Sequence, residues 1–419
     1  MLIQSKHLRA ILARQNIFPL IFMIAISFVP ILSIHLPRAL SFLPLTIGLS
    51  MSLWWVFVQK EHLKHCMPYM LCMACIAGLC IISTLWSVSP VEAYGKALKS
   101  SAILLFSIPL FNLARTIQIS VLKPFLWLFP VGVTLAALLC SFDLALDLPI
   151  YQIIHNVDEN HRPNTSVMNR GVVCTVLSYF TAFPFIRRMK SPDRIKHGLI
   201  IIMTASVITM LILTQSQSGQ FSFLIGGLTL LLFPHKMKAS YIILTISIIL
   251  AMFLTPYIVT TLYHALIYDA QTIPWLQDAY AGNRLEIWEF VIRYALNSPF
   301  YGYGMEGTRY ITDFQHRHIY HPDTSVLHPH NFSIQIWMEF GVIGLIASSG
   351  FFIFIIKNIH NMELHDKKAI MAVFIATLSV ASIGYGLWQS WWLGEFIFLA
   401  AISATMSRKT EYSPLPSTK

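Results

Sequence analysis

Long apolar runs recur along the whole chain and are separated by short polar stretches. Each run approaches the roughly 20 residues that a helix needs to cross the hydrocarbon core of a bilayer. Helices are the expected element because backbone polar groups in lipid must form hydrogen bonds within their own segment. The pattern predicts an all-α, polytopic membrane helix bundle with about twelve spans. Their predicted limits are 17–34, 39–58, 67–86, 97–114, 120–140, 171–187, 198–214, 219–234, 240–262, 333–356, 369–386 and 388–406.

One polar segment, 263–332, is much longer than a turn and is not low in complexity. Loops of this length in a compact protein are usually functional or disordered. Within it, Leu285, Trp288, Ile292 and Leu296 recur at three- and four-residue steps, as on one face of a helix. We therefore expect a folded loop that contains an amphipathic helix.

Composition supports a membrane protein, and charge gives it a direction. Only 11% of the residues are charged, whereas soluble domains have about 25%. Placing both termini in the cytoplasm leaves 20 of the 29 lysines and arginines on that side, as the positive-inside rule requires. The net charge of +10 therefore reflects topology, and it is weak support for nucleic-acid binding because the basic residues are scattered over short loops. The nine basic residues on the outer face are Arg38, Lys96, Lys99, Arg162, Arg170, Arg284, Arg293, Arg309 and Arg317.

This topology divides the chain into four parts. They are 1–262 with transmembrane helices one to nine, 263–332 with the outer loop, 333–406 with helices ten to twelve, and 407–419 as a cytoplasmic tail.

Candidate chemistry is concentrated at the end of the outer loop, where His330 and Asn331 precede an apolar run. Histidine can accept a proton near neutral pH, which suits activation of a hydroxyl. Asn331 could orient a sugar or the imidazole, and this role is compatible with capping the helix that begins at Phe332. A zinc site is an alternative, although no cysteine lies in the loop. Its further histidines are His264, His316, His318, His321 and His328.

Arg284 opens the predicted loop helix. A guanidinium there can bind phosphate through its planar set of donors, and the N-terminus of a helix also favours anions. The alternative is an arginine that pairs with Glu286 or extends to lipid headgroups. Spacing alone does not separate the two interpretations.

Taken in order, these residues resemble the O-antigen ligase and polysaccharide polymerase superfamily of bacterial inner-membrane glycosyltransferases. The ligase signature corresponds to His330-Asn331, nine residues, Gly341, two residues and Gly344. The other matching motifs are Asn169-Arg170-Gly171, Arg284-x3-Trp288 followed by Pro299 and Gly302-Tyr303-Gly304, and the stretch from Trp388 to Trp392.

The resemblance implies a GT-C-like fold in the bacterial inner membrane with the loop on the periplasmic side. It implies transfer of a glycan from undecaprenyl diphosphate to a hydroxyl acceptor, without a metal or a nucleotide cofactor. The acceptor is lipid A-core in a ligase and a growing glycan in a polymerase. His330 would be the catalytic base or would position the acceptor, and Arg284 would hold the diphosphate. The implied substrate-binding residues are Asn331, Arg170, Gln217, Arg309, Arg317 and Trp288.

One position departs from the family pattern. The family commonly has Ser-Arg-Ser/Gly-Gly between spans seven and eight, and its arginine also contacts the diphosphate. Here the stretch is Ser216-Gln217-Ser218-Gly219, so the charge is missing. Another cation would have to replace it, and the candidates are Arg170, Arg309 and Arg317.

A transporter is the rival class, because twelve spans with both termini inside are common among transporters. Transporter sites lie near the membrane midplane on broken helices, whereas the polar residues of this chain are concentrated in an outer loop. Transport that depends on the intramembrane Glu395 but not on His330 would favour this reading.

Overall fold

The computed structural model describes residues 17–56, 67–117, 119–157, 163–278, 280–310 and 326–406. All regular structure in these ranges is helical, which confirms the predicted all-α fold class. The fifteen helices of nine or more residues are α1 (Ile17–His35), α2 (Leu43–Val56), α3 (Met67–Ser83), α4 (Pro90–Phe106), α5 (Ile108–Thr116), α6 (Leu128–Ala145), α7 (Asn169–Arg188), α8 (Asp193–Leu213), α9 (Gln217–Leu232), α10 (Lys238–Phe253), α11 (Thr255–Thr272), α12 (Ala281–Ala295), α13 (Phe332–His360), α14 (Leu364–Ile383) and α15 (Ser390–Met406). Shorter helical segments are Pro37–Ser41, Thr84–Trp86, Ile119–Leu122, Lys123–Phe125, Pro149–His155, Thr165–Met168, Pro274–Asp278 and Gly307–Tyr310.

Several predicted features lie outside the described residues. They are Arg317, His316, His318 and His321, the tail 407–419, and the end of the predicted span 39–58.

Every predicted apolar run overlaps a helix, but the number of membrane spans is not confirmed. Within the described residues, five helical segments are long and apolar enough to cross a membrane, and a bent pair makes six if it is one span. The five are Met67–Trp86, Pro90–Arg115, Leu128–Ala145, Asp193–Leu213 and Phe332–His360. The structure therefore supports a helical membrane protein without supporting the count of twelve.

The predicted span 240–262 is not one straight helix. It divides into α10 and α11, which meet at an angle of 70°. Pro256 explains the break, because proline lacks an amide hydrogen and its ring clashes with the carbonyl four residues earlier. That carbonyl belongs to Met252 and instead accepts a hydrogen bond from the Trp337 indole of α13 at 2.9 Å. The bend thus attaches α10 to α13.

Helix α7 lies at the centre of the bundle, in contact with α1, α6, α8, α9, α14 and α15. At its C-terminal end, Arg188 donates to both carboxylate oxygens of the buried Asp366 in α14, at 2.5 Å each. The two helices have 20 residues each, or about 30 Å at 1.5 Å per residue. Because they are antiparallel and equal in length, Arg170 at the start of α7 and Gly384 after α14 lie at the same level.

Helix α13 is interrupted at Gly341, which has φ 57° and ψ −147°. An interruption leaves backbone groups on both sides without helical partners. The loop 299–304, which follows α12, fills the gap and supplies those partners. Four backbone hydrogen bonds join the two segments: Tyr303 N to Met338 O (2.8 Å), Gly304 N to Glu339 O (2.9 Å), Val342 N to Pro299 O (2.8 Å) and Ile343 N to Phe300 O (3.1 Å).

Glycine is required where the two segments touch. A Cβ atom on Gly341 would lie 2.5 Å from the carbonyl oxygen of Pro299. Gly302, with φ 66°, would place a Cβ 2.6 Å from the carbonyl carbon of Glu339. The glycines that appeared in the sequence as two separate motifs are therefore the two sides of one contact.

We expect Gly341→Ala to destabilise the protein, because its backbone conformation is nearly exclusive to glycine and such strain costs about 1–3 kcal/mol. The close contact with Pro299 adds to that cost. Thermal unfolding of the purified protein should show a lowered Tm. Gly350→Ala is the matched control, because Gly350 also lies in α13 and a Cβ there would have no atom within 4 Å. Equal Tm values for the two variants would contradict this account.

Candidate functional site

The N-terminal ends of five helices meet the 384–389 segment, which connects α14 to α15. The residues that reach this point are Arg170 of α7, Ser218 of α9, Arg284 of α12, His330 just before α13, and Trp391 of α15. The first turn of a helix has unpaired backbone N–H groups and a partial positive charge. This end of the bundle therefore favours an anion.

The 384–389 segment is held by the first half of α13. The Gln335 side chain accepts a hydrogen bond from the Leu387 amide at 2.8 Å. The Trp388 indole donates to the Glu339 carboxylate at 2.5 Å, and Gln335 donates to the same carboxylate at 2.9 Å. The position of the segment is therefore set by the same half-helix that begins beside His330.

The residues on either side of His330 are fixed by hydrogen bonds. The Trp288 indole donates to the Pro329 carbonyl at 2.7 Å. The Asn331 side chain accepts from the amides of Ser333 and Ile334 at 2.9 and 3.1 Å, which makes it the N-cap of α13. Trp288 and Asn331, both predicted as substrate-binding residues, thus support the backbone that presents His330.

His330 itself has a left-handed backbone, with φ 54°. Its Nδ1 lies 2.6 Å from the carbonyl oxygen of Gly384. A carbonyl only accepts, so Nδ1 must bear the proton, and Nε2 of the neutral ring keeps its lone pair. The geometry thus gives His330 a fixed orientation with a basic nitrogen on its other side.

Burial lowers the pKa of His330, the hydrogen bond to Gly384 raises it in part, and the positive charge of Arg284 lowers it further. His330 is therefore neutral at pH 7 and able to accept a proton. Burial also lowers the pKa of Arg284, although a guanidinium remains charged at this pH.

Arg284 and Arg170 form no ion pair with any residue in the described ranges. The Arg170 guanidinium lies over the Trp391 ring, 5.6 Å from its centroid. Both arginines lie within electrostatic range of the Tyr385 phenol, and the Tyr385 hydroxyl lies near Ser218. Two half-buried positive charges thus lie near one phenol, and neither forms an ion pair with a carboxylate of the described residues.

Arg309 does not join this pair, and Arg317 lies outside the described residues. Arg309 is bound to Glu306 at 2.9 Å, and Glu306 also pairs with Lys96 at 3.2 Å. Gln217 is the first residue of α9, and its half-buried side chain makes no hydrogen bond within the described residues. Of the two candidates that lie in the described residues, Arg170 and Arg309, Arg170 is the one near Tyr385 and Arg284 without a carboxylate partner.

The sequence suggested His328 only as one of several histidines for a zinc site, and its position beside His330 was not predicted. Trp391 donates its indole N–H to the Gln389 oxygen at 2.8 Å, so the Gln389 nitrogen faces His328 Nε2, also at 2.8 Å. The His328 and His330 rings are 4.2 Å apart. Burial and the neighbouring positive charges lower the pKa of His328 to about 3, so it stays neutral beside the base.

Tyr385 was also missed. It was assigned to the end of a span, although Gly384-Tyr385-Gly386 between two apolar runs is a signal for a turn. Its position at the centre of the site depends on contacts from four other helices, which sequence spacing does not show.

The structure offers no support for the zinc alternative within its described residues, where no group of three or more histidine, cysteine, aspartate or glutamate side chains could hold a metal ion. His328 and His330 are adjacent, but His316, His318 and His321 lie outside the described ranges.

Part of the chain is similar to known proteins. Residues 201–348 match the family model described as O-Antigen ligase. The matched range contains Gln217, Arg284 and His330, whereas Arg170 and Tyr385 lie outside it.

Three similar proteins come from Rickettsia, and each is named as a "Putative polysaccharide ligase". That of Rickettsia conorii is 30% identical over 56% of this chain and 57% of its own length. That of Rickettsia typhi is 27% identical over 56% and 58%, and that of Rickettsia bellii is 25% identical over 77% and 76%. The chain thus spans a little over half the length of the first two relatives.

We expect the pKa of His330 to lie below the ordinary value of about 6.5 and to rise in Arg284→Gln, because that change removes a positive charge. Diethylpyrocarbonate reacts with neutral imidazole, so a lowered pKa moves the onset of reaction to lower pH. The measurement is the modification of His330 against pH, followed by fragment-ion mass spectrometry. Arg293→Gln is the control, because Arg293 lies on the same helix but pairs with Glu289. Superimposable pH profiles for His330 in all three proteins would contradict the assigned coupling.

Proposed function

Because the chain belongs to the O-antigen ligase family, as its motifs predicted, we propose that it is a membrane glycosyltransferase. It moves a glycan from undecaprenyl diphosphate to a hydroxyl acceptor, and its most fitting role is ligation of O-antigen to lipid A-core. The observation behind this proposal is the neutral, oriented imidazole of His330 next to the unpaired guanidinium of Arg284.

The chemistry follows from that pair. Nε2 of His330 takes the proton of the acceptor hydroxyl, and the acceptor oxygen forms a bond to the anomeric carbon of the glycan. The bond from that carbon to the diphosphate oxygen breaks, and its electrons leave with the carrier. Arg284 stabilises the negative charge that develops on this diphosphate. No step in this scheme is assigned to a metal ion or a nucleotide.

The family resemblance implies the bacterial inner membrane, and the charge pattern supports an orientation with both termini cytoplasmic and the 263–332 loop periplasmic. The partners are then the lipid-linked glycan, the lipid acceptor and the bilayer. A transporter is less well supported. The backbone groups at the interruption of α13 are satisfied by the 299–304 loop and are thus unavailable to coordinate a solute.

Arg170 is proposed as the second cation of the diphosphate site. It would supply the charge that Gln217 lacks, because Arg170 and the neighbour of Gln217, Ser218, both lie near Tyr385. An arginine at the start of α7 can therefore bind the same diphosphate as an arginine at the start of α9 would.

His330→Ala and Arg284→Ala should each reduce glycan transfer by at least about a hundredfold, because each removes a general base or a donor to the leaving group. Transfer is measured in a deletion strain that expresses each variant at an equal membrane level. Arg293→Gln should retain wild-type transfer. Full surface glycan in both test variants would refute the proposal.

The same deletion strain separates the two acceptors. Loss of a ligase leaves the lipid A-core bare, whereas loss of a polymerase leaves single repeat units on the core. A bare core is expected, and single repeats would reassign the chain to polymerisation.

Moving the charge tests Arg170. Arg170→Gln should reduce transfer strongly, and Arg170→Gln combined with Gln217→Arg should recover a substantial part of it, because the guanidinium returns to the same anion from α9. Arg170→Gln combined with Asn164→Arg, an exposed site before α7, controls for net charge alone. Recovered glycan transfer in the control variant would contradict this role of Arg170. A lack of recovery in the double variant with Arg170→Gln and Gln217→Arg would contradict it as well.

A further inference from the structure

Tyr385 lies beside the arginine and histidine groups of the site. It stands between two glycines in the 384–389 segment, its ring packs against Trp391, and the Arg170 guanidinium lies over the same Trp391 ring. The residue before it, Gly384, contacts His330, and both Arg170 and Arg284 lie within electrostatic range of the phenol, with Ser218 near its hydroxyl. A neutral phenol near two cations leaves their charge uncompensated, so the arrangement fits an anionic ligand.

The Tyr385 ring is held firmly, which gives its hydroxyl a fixed direction. Trp391 packs edge-on against it, with centroids 4.7 Å apart and planes at 87°, and Trp392 lies 5.8 Å away. The backbone beside the ring is fixed as well, because Gly384 accepts from His330 and Leu387 donates to Gln335. The hydroxyl is therefore oriented before any ligand arrives.

We propose that Tyr385 is a further donor-binding residue, whose hydroxyl donates a hydrogen bond to an oxygen of the diphosphate held between Arg170 and Arg284. This inference rests on the proposed function. A phenol can accept one hydrogen bond while it donates another, so Ser218 can donate to Tyr385 while Tyr385 donates to the phosphate. Gly384, the residue before Tyr385, orients His330 through its carbonyl. One short turn thus links the base to the site of the leaving group.

A second tyrosine offers a matched comparison. Tyr303 also stands between two glycines, and its ring packs 4.8 Å from that of Tyr294. Its electrostatic neighbours are Tyr294 and Tyr301, with no arginine. If a tyrosine hydroxyl in such a turn contributed only to packing, removing either hydroxyl would change the pyrophosphate affinity to a similar extent.

The test uses the purified full chain and inorganic pyrophosphate as the probe, with binding followed by calorimetry. Wild type should bind pyrophosphate. Tyr385→Phe keeps the ring packing and should weaken binding by about tenfold to a hundredfold, as expected for one hydrogen bond to a charged group. Tyr303→Phe should leave the affinity unchanged, and both variants should keep the ligand-free Tm of wild type.

Ser218→Ala provides a second variant that does not alter the ring, and it should weaken binding severalfold. Unchanged affinity in both Tyr385→Phe and Ser218→Ala would overturn the role of Tyr385. If wild type does not bind pyrophosphate, the anion site itself is overturned. Pyrophosphate binding and glycan transfer are separate measurements, so the role of Tyr385 and the proposed function can fail independently. Normal glycan transfer by Tyr385→Phe, together with loss of transfer in Arg284→Ala, would reject the role of Tyr385 and leave the proposed function intact.

Discussion

The site depends on how the protein satisfies the backbone at the interruption of α13. Unpaired backbone groups in an apolar environment cost several kcal/mol each, so a helix cannot stop and restart in the bundle unless something replaces the lost hydrogen bonds. The 299–304 loop does this with four backbone hydrogen bonds, and glycines on both sides allow the close approach. The interruption and the loop are therefore one structural unit.

This unit brings the proposed base, His330, close to the proposed diphosphate ligand, Arg284. The loop follows α12, which begins near Arg284, and it is bound to α13, which begins after His330. The Trp288 indole joins the same two helices near their starts. The first half of α13 also holds the 384–389 segment through Gln335 and Glu339, so Gly384 can orient His330. Arg170 comes from a different part of the fold, where the ion pair between α7 and α14 sets its level.

Much of this could be predicted from local pattern. The helical class followed from the apolar runs, the loop helix from three- and four-residue spacing, and the N-cap from an asparagine before an apolar run. The bend at Leu254 could have been anticipated from Pro256. The pairing of Arg309 with Glu306, three residues earlier, was also visible in the sequence.

What could not be predicted depends on contacts between distant segments. The spacing from His330 to Gly341 identified a motif but not the interruption, because the backbone partners that satisfy it, Pro299 and Phe300, lie more than forty residues earlier in the chain. Likewise, no local pattern brings Arg170 near Tyr385.

We propose that these distant segments together form one diphosphate site. The most direct test is a cryo-EM structure of the full chain in lipid nanodiscs with undecaprenyl diphosphate. The diphosphate should lie between Arg284 and Arg170 with His330 Nε2 facing it, and a diphosphate bound at Arg309, away from the 384–389 segment, would contradict the account.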